Sequence, residues 1–148
     1  MFSPDNLAFE IAENKSLKHA ISEQHFHFFA PAFLPSNPHR VPTVAMFIWY
    51  QDNLGAKLTT AGNLGAELPG VNLRFSPTPL PTTPTKGRVV DHIGFEVKNL
   101  EEFCKRLEAS GVKFDKPYSK TRHDGFASAE LSDPYGVSVE LTEGLNKF

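Results

Sequence analysis

Three segments of this chain recur in the same order further along it, and that internal repeat constrains the fold more than any other feature. "HFHFFAP" (25–31) matches "HIGFEVK" (92–98) position for position: histidine, apolar, variable, Phe, variable, apolar. "LGAKL" (54–58) matches "SGVKF" (110–114), and "GAELPGVNLRFS" (65–76) matches "SAELSDPYGVSVELT" (128–142) with a longer turn in the second copy. Between the matching strands each copy carries a helical stretch, "TVAMFIWYQDNLG" (43–55) and "NLEEFCKRLEASG" (99–111). The chain therefore reads as two copies of one β-α-β-β-β unit. "PTPLPTTPTKG" (77–87), with four prolines, reads as an extended linker between them. The expected divisions are a helical lead-in over 1–22, a first module over 23–76, the linker, and a second module over 88–148.

Local signals fill in this plan. The lead-in has Asp5 as a cap and Leu7, Ile11, Leu17 and Ile21 as its apolar positions. In the first helix Thr43 is the expected cap, Val44, Phe47 and Ile48 the buried side, and Gly55 the stop. Asn99 and Glu102 suggest a capping box for the second helix, whose buried stripe is Leu100, Phe103, Cys104 and Leu107. "VVDHIGFEV" (89–97) is strand-like, "SKTRHDG" (119–125) a polar loop, and the last two strands form a hairpin turning at Asp133 to Gly136.

Composition excludes several function classes. A net charge of −2 with scattered basic residues gives no footprint for nucleic acid or an anionic membrane. The single cysteine, Cys104, rules out an internal disulfide framework and cysteine-based zinc clusters. No apolar run approaches a membrane span, and the opening residues lack the basic and apolar regions of a secretory signal, so a cytoplasmic location is expected.

Strand parity picks out the residues with chemistry. His25, His27 and Phe29 share one face of the first strand, His92 lies opposite Ile93, Phe95 and Val97, and Glu140 lies opposite Val139 and Leu141. The apolar faces are expected to meet the helices, leaving His25, His92 and Glu140 on interior-facing sides. A carboxylate on a core-like strand is costly to bury unpaired. Two imidazoles and one carboxylate around a divalent cation remove that cost and leave coordination positions open for substrate. By repeat alignment Glu140 corresponds to Arg74, a residue suited to an anionic or oxygen-rich group.

These features resemble the vicinal oxygen chelate superfamily, the group of glyoxalase I, bleomycin-resistance, fosfomycin-resistance and extradiol-dioxygenase proteins. The resemblance is carried by "DHIGFEVKNLEEF", "LSDPYGVSVELTEG", and "HFHFFAP" followed by "WYQDNLG", and covers residues 23–144. It implies an α+β fold in which two tandem βαβββ modules pair into a curved, partly open eight-stranded sheet around a metal and substrate cavity. The implied metal ligands are His25, His92 and Glu140, with His27 as the alternative in the first module, around Fe, Mn, Zn, Ni or Co. Glu140 and His123 are candidate catalytic groups, the latter as an acid/base in a loop with Lys120 and Arg122. Arg74, Phe29 and Tyr135 are candidate substrate contacts. The implied activity is lyase/isomerase or dioxygenase chemistry on a small substrate chelated through vicinal oxygens, in a homodimer. The alternative is a non-catalytic sequestration protein of the bleomycin-resistance type.

The chain also departs from the family pattern. Glyoxalase I enzymes have a carboxylate ligand where this chain has Arg74. The dioxygenase tyrosine before the carboxylate is replaced by Glu130, and the dioxygenase histidine upstream of His92 by the proline linker.

Overall fold

The computed structural model describes residues 8, 10–31, 41–59, 64–120 and 125–145. Its chain divides into two units, Met1–Thr82 and Thr83–Phe148, and the repeat is visible in each. In the first, β1 (Phe26–Pro31), α1 (Pro42–Leu54), β2 (Lys57–Thr59), β3 (Gly65–Leu68) and β4 (Val71–Thr78) follow in that order. In the second, β5 (His92–Glu96), α2 (Leu100–Ala109), β6 (Phe114–Lys120), β7 (Ala127–Ser132) and β8 (Ser138–Glu143) do the same. The strand orders are β1-β4-β3-β2 and β5-β8-β7-β6, so each sheet places its first strand parallel to its last. The eight strands thus form two four-stranded mixed sheets, neither of them closed.

The two ladders share one register. His27 stands opposite Arg74 in the first sheet, and Gly94 stands opposite Glu140 in the second. Since Arg74 and Glu140 are repeat partners, His27 corresponds to Gly94, and His25 to His92. The alignment made on sequence alone therefore survives in hydrogen-bonded pairing.

The first unit packs α1 onto β4. Pro42 opens the helix at a position where its missing N–H is no loss, and Gly55 closes it in the left-handed region at φ 74°. Gly55 donates its N–H to the Gln51 carbonyl at 3.0 Å. Thr43, the expected cap, is instead buried. Of the expected inner side, Phe47 holds and the two β-branched residues do not. Met46, Phe47, Tyr50 and Asn53 are buried, whereas Val44 and Ile48 are exposed. Val44 and Ile48 lie close to half a turn from Met46 and Tyr50, and the larger aromatic contact decides which face goes in. Tyr50 stacks on Phe75 with ring centroids 5.6 Å apart.

Ahead of β1 the expected helix is absent over residues 10–25, which run as turns and bends. Its apolar stripe has no surface to cover it: Ile11 is 76% and Ile21 86% exposed. Asp5 and Leu7 lie outside the described residues. A short periodic pattern without tertiary burial does not sustain a helix in water.

In the second unit α2 packs on β6, β7 and β8, with Leu100, Cys104 and Leu107 buried on the helix and Ala129, Leu131, Val139 and Leu141 buried in the sheet. Burial pushes the Cys104 thiol up to about 11, so it is inert at neutral pH. Phe103 lies under the Arg106 guanidinium at 4.4 Å. The expected capping box does not form. Asn99 takes left-handed angles and makes no side-chain cap bond, and Glu102 pairs with Lys105 at 2.9 Å. Glu143, at the end of β8, caps the helix instead. Its two carboxylate oxygens accept the N–H groups of Asn99 at 3.2 Å and Leu100 at 3.1 Å. A negative charge there also opposes the positive end of the helix dipole. Glu143→Ala is expected to cost about 1 to 2 kcal/mol, read as a lower denaturation midpoint. An unchanged midpoint would count against the cap.

The proline-rich stretch is only partly a linker. Pro77 and Thr78 extend β4 and pair with Ala30 and Pro31. Thr85 docks on the β7–β8 turn, its N–H bonding the Gly136 carbonyl and its Oγ1 accepting the Ser138 N–H, both at 2.9 Å. β5 is shorter than expected, because Asp91 accepts the Gly87 N–H and the chain bends before His92. Val89 is accordingly 62% exposed rather than inside.

Candidate metal centre

In the second unit, β5 and β8 bring His92 and Glu140 together. Parallel pairing sets Glu140 opposite Gly94, two residues beyond His92 on the same face. There is room on that face beside Gly94, where an added Cβ would meet only Glu140 Oε2, in ordinary contact at 3.9 Å. His92 Nε2 is 3.5 Å from Glu140 Oε2. The other ring nitrogen, Nδ1, is 2.9 Å from Asp91 Oδ1, so Nδ1–H donates to that carboxylate and Nε2 is left to face Glu140. The Asp91 bond favours the charged imidazolium and raises the His92 pKa, with Glu140 adding to it and burial opposing. Asp91 in turn is held below the usual carboxylate range, first by the Gly87 N–H and then by His92.

Glu130, noted in the sequence only as the residue at the dioxygenase tyrosine position, is a direct neighbour of this pair. It stands directly opposite Glu140 across β7 and β8. Two carboxylates at such a position repel. Lys116 at 2.5 Å and Lys86 at 3.6 Å from Glu130 offset that repulsion. Counting back from the Asp133–Gly136 turn would have placed Glu130 there. Asp133 fixes that turn: its Oδ1 accepts the N–H groups of Tyr135 and Val137, each at 2.8 Å.

In the first unit, His25 and His27 lie together just before and within β1, with ring centroids 5.6 Å apart. His27 stacks on Phe29, centroids 4.8 Å apart and planes at 11°, and its Nε2 hydrogen-bonds Ser76 Oγ at 2.8 Å. Burial is the main cause that lowers the His27 pKa, followed by its neighbour His25. His25 Nδ1 is 2.9 Å from Gln24 Oε1, and its Nε2 is 3.5 Å from Glu10 Oε2. Ligand atoms of Glu10, His25 and His27 all lie within 4.8 Å of one another.

A family model, the Glyoxalase/Bleomycin resistance protein/Dioxygenase superfamily, matches residues 44–141, well over half of the chain. The chain belongs to this superfamily. Solved structures of the superfamily share its fold. A genomically encoded fosfomycin resistance protein, FosX, from Listeria monocytogenes is 16% identical, with 87% of this chain and 98% of that one covered and a TM-score of 0.63. A glyoxalase family protein from Enterococcus faecalis is 20% identical, covering 82% and 97% at a TM-score of 0.61. A lactoylglutathione lyase from Agrobacterium tumefaciens is 18% identical, covering 83% and 93% at a TM-score of 0.53. No curated protein matches the sequence. At these identities the likeness is one of fold.

His92 and Glu140 are brought together within the second unit, while His25, Phe29 and Arg74 belong to the first. Arg74 is half-buried opposite His27, and Phe29 is half-exposed beside that ring. Tyr135 serves the β7–β8 turn through its backbone. His123 lies outside the described residues. No helix among the described residues is long and apolar enough to cross a membrane.

The donor chemistry of the second unit suits a divalent cation. An imidazole nitrogen and a carboxylate oxygen bound to one ion at about 2.1 Å each would stand about 3.0 to 3.4 Å apart. The observed 3.5 Å needs only a slight closing. Asp91 supplies the outer hydrogen bond that ligating histidines normally make.

Proposed function

We propose that this protein is a metal-dependent member of the superfamily, acting on a small substrate that binds through adjacent oxygens. A divalent ion would be held by His25, His92 and Glu140. The observation that carries the proposal is the His92–Glu140 pair, a fixed Nε2 and a carboxylate oxygen 3.5 Å apart on an open strand face. When bound, such an ion supplies Lewis-acid polarisation of substrate oxygens.

The protein groups have separable tasks in this reading. Asp91 orients the His92 ring and favours the tautomer that presents Nε2. Glu140 carries the negative charge and is the group best placed to take a substrate proton at its free oxygen. Arg74 holds an oxygen-rich part of the substrate through its guanidinium, and Phe29 gives it an apolar wall. His123 and Tyr135 are assigned to the same substrate as acid/base and contact.

The lyase/isomerase and dioxygenase forms of the chemistry differ in substrate and in whether dioxygen is consumed. Elemental analysis of freshly purified protein, followed by a panel of vicinal-oxygen substrates with and without dioxygen, tests the reading. The expected result is a bound divalent ion and turnover of a panel member. Metal-free protein whose ligand binding is unchanged by His92→Ala would replace the proposal with sequestration of an apolar ligand.

A further inference from the structure

Two histidines related by the repeat are oriented in the same way. His92 uses Nδ1 to reach the side-chain oxygen of the residue before it, Asp91, at 2.9 Å, and turns Nε2 to a carboxylate at 3.5 Å. His25 uses Nδ1 to reach the side-chain oxygen of the residue before it, Gln24, at 2.9 Å, and turns Nε2 to a carboxylate at 3.5 Å. The second carboxylate in the first case is Glu140 on β8. In the second it is Glu10, from the segment ahead of β1. The strand position equivalent to Glu140 carries Arg74, so the first sheet has no acid of its own to offer there.

We propose that Glu10 is a metal ligand, paired with His25 as Glu140 is paired with His92. The inference rests on the metal-dependent reading above and extends it: a carboxylate from the N-terminal segment joins His25 in holding an ion. Three features support it beyond proximity. The Gln24 carbonyl oxygen accepts only, so Nδ1–H donates to it and Nε2 is turned to Glu10. A carboxylate oxygen 3.5 Å from that nitrogen is satisfied by a positive charge between them, and with His27 as a third nearby donor a divalent cation can supply it. The imidazole is 5% exposed while the Glu10 side chain is 68% exposed, so a rigid nitrogen donor meets an acid free to adjust. His27 adds a third donor residue within 4.8 Å of the other two, its ring held by Ser76 and Phe29.

This gives the N-terminal segment a purpose that its exposed apolar residues do not. Residues 10–25 make no helix and bury little, yet they end with the Gln24–His25 pair and begin with Glu10. An added anionic ligand also raises the affinity of the site for hard, doubly charged ions over what two imidazoles and one carboxylate offer.

The test is calorimetric titration of metal-stripped full-length protein with Zn2+ and with Mn2+, comparing wild type, Glu10→Gln and His92→Ala. Glu10 is exposed on irregular chain, and circular dichroism checks that Glu10→Gln folds. The expected result is an affinity lowered about tenfold or more by Glu10→Gln, with a changed visible spectrum of the Co2+-loaded protein. Affinity and Co2+ spectrum unchanged in Glu10→Gln, while His92→Ala loses the ion, would overturn this inference and leave the functional reading standing. Loss in Glu10→Gln with full retention in His92→Ala would support Glu10 as ligand and overturn the three-ligand set proposed above. Retention in both variants would overturn both.

Discussion

His92→Ala is expected to strip the protein of most of its divalent ion, and Glu140→Gln to do nearly the same. The two side chains differ in kind, so the two substitutions fail for different reasons. Alanine removes the one nitrogen that the β5 strand presents with its tautomer already chosen by Asp91. Glutamine keeps the shape of Glu140 and its place opposite Gly94 but removes the charge that draws a cation there. Asp91→Asn leaves both ligands and weakens only the orientation of His92. Its affinity should fall by about tenfold to a hundredfold, less than in either ligand variant. Metal stoichiometry after gel filtration and elemental analysis reads all three. Wild-type stoichiometry in His92→Ala would remove the ion from β5 altogether. In the first unit His25→Ala should lower occupancy more than His27→Ala, because the Nε2 atom of His27 already bonds Ser76.

The pair at the heart of that prediction was legible in the sequence because a repeat converts spacing into register. His25 matches His92 and Arg74 matches Glu140 by simple alignment, and parallel pairing of the first and last strand of each unit then fixes which residues are neighbours. No long-range information was needed beyond the assumption that both copies fold alike. The parts that could not be read depend on contacts between segments unrelated by the repeat. Glu143 caps α2 from the end of β8, over forty positions away, so a local capping box was the natural reading and the wrong one. Glu10 reaches His25 only because the first segment turns back instead of forming a helix. Lys86 and Lys116 converge on Glu130 from a loop and an edge strand, and neither carries a motif.

The helix α1 shows the same limit in its most measurable form. A count of apolar residues at helical spacing favours Val44, Phe47 and Ile48 as the inward side, because Val44 and Ile48 are separated by one turn. Burial keeps Phe47 but follows Met46 and Tyr50 in place of Val44 and Ile48. Tyr50 offers more contact area than either β-branched residue, and β4 meets it with Phe75 at a nearly parallel 25°. Trp49 adds an edge contact at 5.0 Å from the same helix.

Tyr50→Ala is therefore expected to lower the unfolding free energy by about 3 to 5 kcal/mol, and Ile48→Ala to change it by no more than about 0.5 kcal/mol. A whole domain is stable by only about 5 to 15 kcal/mol, so the first variant should unfold at much lower denaturant concentration and the second near the wild-type midpoint. Tyr50→Phe keeps the ring on Phe75 and should fall between them. Chemical denaturation followed by tryptophan fluorescence is a direct readout, because Trp49, the only tryptophan, adjoins the site of change. If Ile48→Ala proved the more damaging of the two, the inward face of α1 would be the one that apolar spacing suggests. The side chains on β4 would then have to meet the helix from the opposite direction, and the stacking of Tyr50 on Phe75 could not be what holds the first unit together.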